Sequence, residues 1–231
     1  MKSNLLSALQ ARITAKIPCA VVTDTATGEQ AIIGGGDNVG ALGLTSDALN
    51  NVNRLIAADK SSMIGDSTLF VRVYSPSPRI IIVGAVHIAQ SLVPLALIAG
   101  FEAIVIDPRS AFLTAGKLEG ATAIEEWPEE GMKKAKPDSR TAVVTLTHDP
   151  KLDDPALAAA LRSPAFYIGA LGSRKTHEKR LQRLKDEGFA DADLTRIRGP
   201  VGLNINAISP AEIAVSIVAQ VIEVLRADAK T

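Results

Sequence analysis

Four short stretches of this chain hold residues that can bind or move charge. Gly84-Ala85-Val86-His87 is a glycine turn followed by an imidazole. Asp107-Pro108-Arg109 offers a carboxylate for a pair of hydroxyls and a guanidinium able to grip phosphate through two parallel N–H groups. Thr147-His148-Asp149 brings together a hydroxyl, an imidazole and a carboxylate. Gly172-Ser173-Arg174-Lys175 combines a permissive backbone, a hydroxyl and two cations. This last stretch carries the most weight. A helix starting there leaves its first-turn N–H groups unpaired and turns its positive dipole end outward, so with Ser173 and the two cations it makes an anion cradle. It is not a Walker A loop, because no lysine follows a glycine at the required position. The blander readings are a solvated helix start for Gly172–Lys175, a turn residue before proline for Asp107, a helix-start hydrogen bond for His87 and a structural role for His148. His148 and Asp149 are neighbours on an extended segment and face opposite ways, so they are not a ready-made dyad. His177, on a charged helix, reads as solvated. Cys19 reads as a buried apolar residue rather than a thiolate. The sequence offers no nucleophile–base pair and no metal-ligand spacing.

The elements that must position these residues follow a pattern. Ile80-Ile81-Ile82-Val83 is a β-branched run of the kind buried on both faces of a parallel sheet. Gly84 ends it, an apolar helix is expected from about His87 to Ala99, and Gly100 stops that helix. A second strand, Ala103–Ile106, ends on Asp107. Strand, glycine turn, helix, strand and acidic tip make the first βαβ unit of a Rossmann sheet. The dinucleotide fingerprint G-x-G-x-x-G/A is broken at its second glycine, where Val86 stands. The fold therefore follows from the sequence more firmly than NAD binding does. Further on, Ala121–Ile124 reads as an edge strand, residues 128–140 as a charged surface helix and loop, and Thr141–Thr147 as a strand. Asp153-Asp154-Pro155 reads as a helix start with Pro155 in its first turn. Ala165–Gly169 is a strand that leads through Gly172 into a charged helix to about Glu187, ended by Gly188. Ser209-Pro210-Ala211-Glu212 is a capping box opening a last amphipathic helix to about Arg226. In such a sheet, ligands bind beyond the carboxyl ends of the strands, and parallel strands bring all four polar stretches to one rim.

Residues 1–78 read as a smaller module. Leu5, Leu6, Leu9 and Ile13 define an amphipathic helix over 3–17. Two strands flank a hairpin turn at Thr25-Ala26-Thr27-Gly28. A helix capped by Thr45 or Ser46 runs to about Ala58, and Leu69–Tyr74 closes the module. Ser75-Pro76-Ser77-Pro78 is the expected junction. The fold class is thus α/β: a Rossmann-like parallel-sheet domain over 79–231, preceded by a small α+β amino-terminal module.

Composition narrows the function. Lys plus Arg number 25 and Asp plus Glu 25, and aromatics are 3% of the 231 residues, so neither a basic face nor a base-stacking platform for nucleic acid is expected. A single cysteine rules out an intrachain disulfide and suits a reducing compartment. No apolar run approaches the ~18 residues of a membrane helix, and the amino terminus lacks a signal-peptide pattern. A soluble cytoplasmic protein is expected.

The stretches IIIVGAVHIA, VIDPR, VVTLTHD, FYIGALGSRKT and PVGLNINAISPAEIAVSIVAQVI together resemble the accessory proteins of xanthine dehydrogenase and carbon monoxide dehydrogenase, the XdhC/CoxI type. The similarity runs from about Arg79 to Ala227, and the last three stretches, in this order, are its most distinctive part. The family pattern at the turn is GAGH, from which Val86 departs. The family's GSxPR and GGCxE stretches are absent from the amino-terminal module, so no role of that cysteine passes to Cys19. The resemblance implies a chaperone that catalyses nothing itself. It would bind molybdenum cofactor, shield it while a terminal sulfur is installed, and pass it to a molybdenum hydroxylase apoenzyme, with a cysteine desulfurase as a further partner. On this reading Gly172, Ser173, Arg174 and Lys175 hold phosphate, and Gly84 and His87 line the opposite wall. Asp107 and Arg109 contact a nucleotide or pterin edge, and His148 and Asp149 lie near the pterin. A homodimer is the default assembly. Two alternatives stand beside it: an NAD(P)-binding oxidoreductase or dinucleotide sensor, and an interaction protein that uses the domain only as a scaffold.

Overall fold

A computed structural model describes residues 2–113 and 118–227; the end of the expected second domain, 228–231, lies outside the described residues. Contacts divide the chain into two units, one running through Pro76 and taking in Arg226, the other Ser77–Leu225.

The first unit is an antiparallel sheet with a helix on each face. Helix α1 (Ser3–Thr14) is followed by β1 (Cys19–Asp24), β2 (Gln30–Ile33), β3 (Val39–Gly40), α2 (Ser46–Ala57), β4 (Ser62–Met63) and β5 (Leu69–Tyr74). The strand order is β3-β2-β1-β5-β4. Alternation along β1 divides the core. Cys19 and Val21 pack with Leu5 and Leu9 of α1, while Ala20 and Val22 pack with Val52 of α2. Cys19 is fully buried and burial pushes its thiol pKa up, as befits a core residue. Thr45, not Ser46, caps α2 by accepting the Ala48 N–H.

The second unit is a six-stranded parallel sheet with helices on both faces. Its elements are β6 (Arg79–Val83), α3 (His87–Ile98), β7 (Glu102–Ile106), α4 (Ser110–Leu113), β8 (Thr122–Ile124), α5 (Pro128–Ala135), β9 (Thr141–Thr145), α6 (Pro150–Leu161), β10 (Tyr167–Ala170), α7 (Arg174–Asp186), α8 (Asp191–Leu194), β11 (Ile197–Arg198) and α9 (Pro210–Leu225). Strand order is β11-β10-β9-β6-β7-β8, so the chain starts at β6, winds out to β8, and returns to the other side of β6 at β9. This reversal between β6 and β9 is the topological switch point of a Rossmann sheet. The sheet is buried on both sides, which explains the unbroken apolar run at 80–83. Ile80 and Ile82 face α3 and α9, whereas Ile81 and Val83 face α5 and α6.

Several local expectations hold. In the capping box of α9, Glu212 accepts from the Ser209 N–H at 2.9 Å and Ser209 Oγ accepts from the Glu212 N–H at 3.2 Å. Gly100 (φ +85°) and Gly188 (φ +97°) stop α3 and α7. One start is corrected. Helix α6 begins at Pro150, not at Asp153: Asp149 is its cap, accepting from the Lys151 N–H at 2.9 Å, and Pro155 sits inside the helix. The two-residue strand β11 was not expected, being too short to show a period. No helix among the described residues is long and apolar enough to cross a membrane.

Candidate functional site

The strand ends lie level. Val83 pairs with Ile106 on one side and Thr145 on the other, Thr145 pairs with Ala170, and Ile106 with Ile124. The residues that follow, Gly84, Asp107, Leu146-Thr147 and Leu171-Gly172, therefore leave the sheet along one rim. The ends of β6 and β10 are separated only by β9, two strand spacings or about 10 Å. Helices α3 and α7 leave this rim toward opposite faces of the sheet.

At β6 the chain turns through Gly84 at φ +105°, and a Cβ there would fall 2.4 Å from Thr147 Cγ2. Glycine is needed both for the backbone angle and for this close approach. Val86 occupies the place of the fingerprint's second glycine. Its backbone is extended (φ −85°, ψ 176°), which any residue adopts, and its side chain packs against the core cluster. His87 is the first residue of α3 and is exposed.

Asp107, at the tip of β7, is fully buried, contrary to a direct contact with ribose hydroxyls. Its Oδ2 accepts from the Ala85 N–H at 2.8 Å and from Arg109 Nη2 at 2.7 Å. Its Oδ1 accepts from the Arg109 N–H at 3.0 Å and Nε at 2.8 Å. Burial pushes this carboxyl up, but the hydrogen bonds from Arg109 and Ala85 outweigh it and hold the pKa below the usual value. The carboxylate thus anchors the glycine turn and fixes the orientation of Arg109, whose side chain is 42% exposed.

At β9 the strand exit is held by Asp153, which sequence reasoning assigned only to a helix start. It is buried, and accepts from Thr147 Oγ1 at 2.7 Å, the Thr147 N–H at 3.3 Å and the His148 N–H at 3.1 Å. These bonds set the sharp turn out of the sheet, where His148 takes φ +62° and is left exposed. Asp149 caps α6. His148 and Asp149 therefore come to the rim without forming a dyad.

At β10, Gly172 (φ +143°) leads into Ser173, the N-cap of α7, whose hydroxyl accepts from the Thr176 N–H at 3.2 Å. Arg174 and Lys175 are exposed on the first turn. Beneath them lies Arg180, a residue that reads in sequence as one more charge on a solvated helix. It is almost fully buried. Nη2 donates to the Leu171 carbonyl at 2.8 Å and lies 3.4 Å from Asp153 Oδ2, while Nε and Nη1 find no partner among the described residues. Burial draws the pKa of Arg180 down and pushes that of Asp153 up, in each case against the pull of the partner charge. Thr145 Oγ1, at the last residue of β9, is a further buried polar atom without a partner among the described residues. Unmet polar atoms at a strand-end rim are suited to a polar ligand. His177, expected in solvent, instead packs its ring against Gly199, where a Cβ would fall 2.2 Å from Nδ1. Among the described residues, no cluster of His, Cys, Asp and Glu is placed to hold a metal ion.

Comparison with known proteins agrees with this architecture. Residues 80–221 match the model of the XdhC Rossmann domain. The chain is 33% identical over 153 residues to PaoD of Escherichia coli, described as a molybdenum cofactor insertion chaperone, covering 65% of this chain and 41% of that protein. It is 33% identical over 158 residues to a Bacillus subtilis protein described as a probable xanthine dehydrogenase subunit, covering 68% and 46%. It therefore spans less than half the length of these relatives. A crystal structure from Bacillus halodurans, described as a xanthine dehydrogenase, superposes with a TM-score of 0.78 at 27% identity over 97% of this chain and 67% of that one. The chain belongs to the XdhC family, with residues 80–221 forming its XdhC Rossmann domain.

Proposed function

We propose that this protein carries molybdenum cofactor at the carboxyl-end rim of its parallel sheet and delivers it to a molybdenum hydroxylase of the xanthine dehydrogenase or carbon monoxide dehydrogenase type. The observation that carries the reading is the level rim at which Gly84, Arg109, His148 and the start of α7 leave neighbouring strands, with buried donors left unmet among the described residues. Family membership and the description of PaoD as a molybdenum cofactor insertion chaperone support molybdenum cofactor as the cargo.

The cofactor, a phosphorylated pterin holding molybdenum through sulfur, brings its own redox chemistry; the protein's part is to bind and orient it. The first-turn N–H groups of α7, Ser173, Arg174 and Lys175 hold its anionic end. Arg109, locked by Asp107, offers a guanidinium of fixed direction at the other side of Gly84. His87 and His148 stand exposed between them. Such a carrier works in the cytoplasm beside a cysteine desulfurase that installs sulfur before transfer. An NAD(P) oxidoreductase fits less well, because the acid that would accept the ribose hydroxyls is enclosed and already saturated with donors.

The test is to purify the protein from a host that makes the cofactor, denature it under oxidising conditions and measure the fluorescent pterin released. The wild-type protein should release pterin well above an unrelated Rossmann protein, and Arg174→Ala with Lys175→Ala should lower the yield. Release at the control level, together with saturable binding of NAD(H), would replace this reading with the oxidoreductase one.

A further inference from the structure

Helix α7 carries donors beyond those assigned to the rim above, with Lys175 shared between the two sets. Lys175, Lys179 and Arg183 recur every four residues, with Thr176 and Arg180 beside them, so all five project from one side of the helix. Together with His148, Pro150 and Asp153 they line a cavity of about 260 Å³ between the start of α6 and the first turns of α7. Arg183 is occupied by Asp154, to which Nη2 donates at 3.0 Å. Lys175 and Lys179 are exposed at the mouth.

Arg180 is what marks the cavity as more than a basic surface. Its side chain is 2% exposed, yet its Nε and Nη1 have no acceptor among the described residues. Nη1 lies below the Gly172 turn, 3.8 Å from where a Cβ would stand. Asp153 cannot meet these donors well, since its oxygens already take the Thr147 hydroxyl and two backbone N–H groups. A buried guanidinium with unmet donors is costly unless an anion completes it. The volume falls below the roughly 300–1,000 Å³ of pockets that enclose a whole small molecule, so it suits one end group rather than a complete cofactor. Guanidinium, ammonium and hydroxyl donors are the set that recognises a phosphoryl group.

We propose that this cavity is a phosphate subsite that takes the phosphoryl or pyrophosphoryl end of the ligand bound at the rim, with Lys175, Lys179 and Arg180 as its cationic walls and Thr176 as a neutral donor. The proposal rests on the cofactor reading for the rest of the ligand and is tested without it. Pyrophosphate is titrated into the purified chain by calorimetry at fixed ionic strength, with chloride as the control. Saturable binding is expected. Lys179→Ala, which removes an exposed side chain and keeps the fold, should weaken it about tenfold, equivalent to about 1.4 kcal/mol. Lys175→Ala with Lys179→Ala should weaken it further, and Arg180→Lys, which keeps the charge but loses the fork, should also bind less tightly while its circular dichroism stays native. Absence of saturable binding, or affinity unchanged in the Lys175/Lys179 double variant, overturns the subsite. Pterin release is measured on the same preparations. Pterin retained without pyrophosphate binding removes the subsite and keeps the cofactor reading. Pyrophosphate bound and then lost in the double variant, with no pterin ever retained, keeps the subsite and removes the cofactor reading.

Discussion

The rim is built twice from the same pair of residue types, and the two pairs have opposite fates. Beyond β7, Asp107 is enclosed while Arg109 reaches solvent; beyond β9 and β10, both Asp153 and Arg180 are enclosed. In the first pair Arg109 meets the carboxylate through Nε, Nη2 and its backbone N–H, and the hydrogen bonds hold the carboxyl pKa down. In the second, burial outweighs the attraction: the carboxyl is pushed up, the guanidinium drawn down, and two guanidinium donors stay unmet among the described residues. An aspartate that anchors a strand exit can thus either aim a cation at solvent or hold one in reserve below the surface. The first arrangement contributes to stability on its own, whereas the second gains most when a ligand arrives.

The sharpest way to break this contrast is at Arg180. Arg180→Met leaves Asp153 buried without its countercharge and frees the Leu171 carbonyl, so a loss of about 3–5 kcal/mol is expected in urea denaturation. Adding Asp153→Asn should recover part of that loss, because no lone buried charge then remains. A double variant as unstable as the sum of the singles would mean the two side chains act independently. Next in size is Gly84→Ala, expected to cost roughly 2–4 kcal/mol from the positive φ and the clash with Thr147. Thr147 cannot rotate away freely, since its hydroxyl is bonded to Asp153. The two halves of the rim are therefore coupled through this one threonine. Thr147→Ser removes the methyl and keeps the hydroxyl, so it should partly rescue Gly84→Ala; no rescue would place the cost in the backbone angle alone.

How much of this was readable beforehand depends on the range of the interactions. The glycine turn, the acidic tip and the Ser209 capping box are local, set by residues within a few positions of each other, and the sequence announces them. The buried central strands announce themselves too, through runs that are apolar on both faces, whereas the sixth strand, β11, does not. Asp153 and Arg180 do not announce themselves. They lie 27 residues apart, and their burial comes from the packing of α6 on α7 beneath the Leu171-Gly172 turn. The available signal was the row Lys175, Lys179, Arg183 beside the apolar Leu181 and Leu184, which separates a basic side of α7 from its core side. Asp153-Asp154-Pro155 misled in the other direction, since it imitates a helix start while Asp149-Pro150 is the real one. The enclosure of Asp107 was equally hidden, because an acid after a strand looks the same whether a ligand or Arg109 claims it.

The smaller effects fall on the Asp107 side. Arg109→Ala removes the two side-chain hydrogen bonds to Asp107 but from a guanidinium well exposed to solvent, so after screening a loss of only about 1 kcal/mol is expected. A loss comparable to that of Arg180→Met would make the two pairs equivalent. The pH dependence separates them by sign. An unfolded aspartate titrates near pH 3.9. Folded Asp107 titrates lower, so its contribution is complete above about pH 4 and is lost as the pH falls through the folded value. Folded Asp153 titrates higher and keeps its proton when the unfolded chain has released it. Its contribution is therefore complete below about pH 4 and declines as the pH rises through the folded value. Measured against pH by urea denaturation, the stability of the wild-type protein relative to Asp107→Asn should rise with pH in the acid range. Relative to Asp153→Asn it should fall. Slopes of the same sign would show that the second pair is satisfied as it stands, with nothing held in reserve for a ligand.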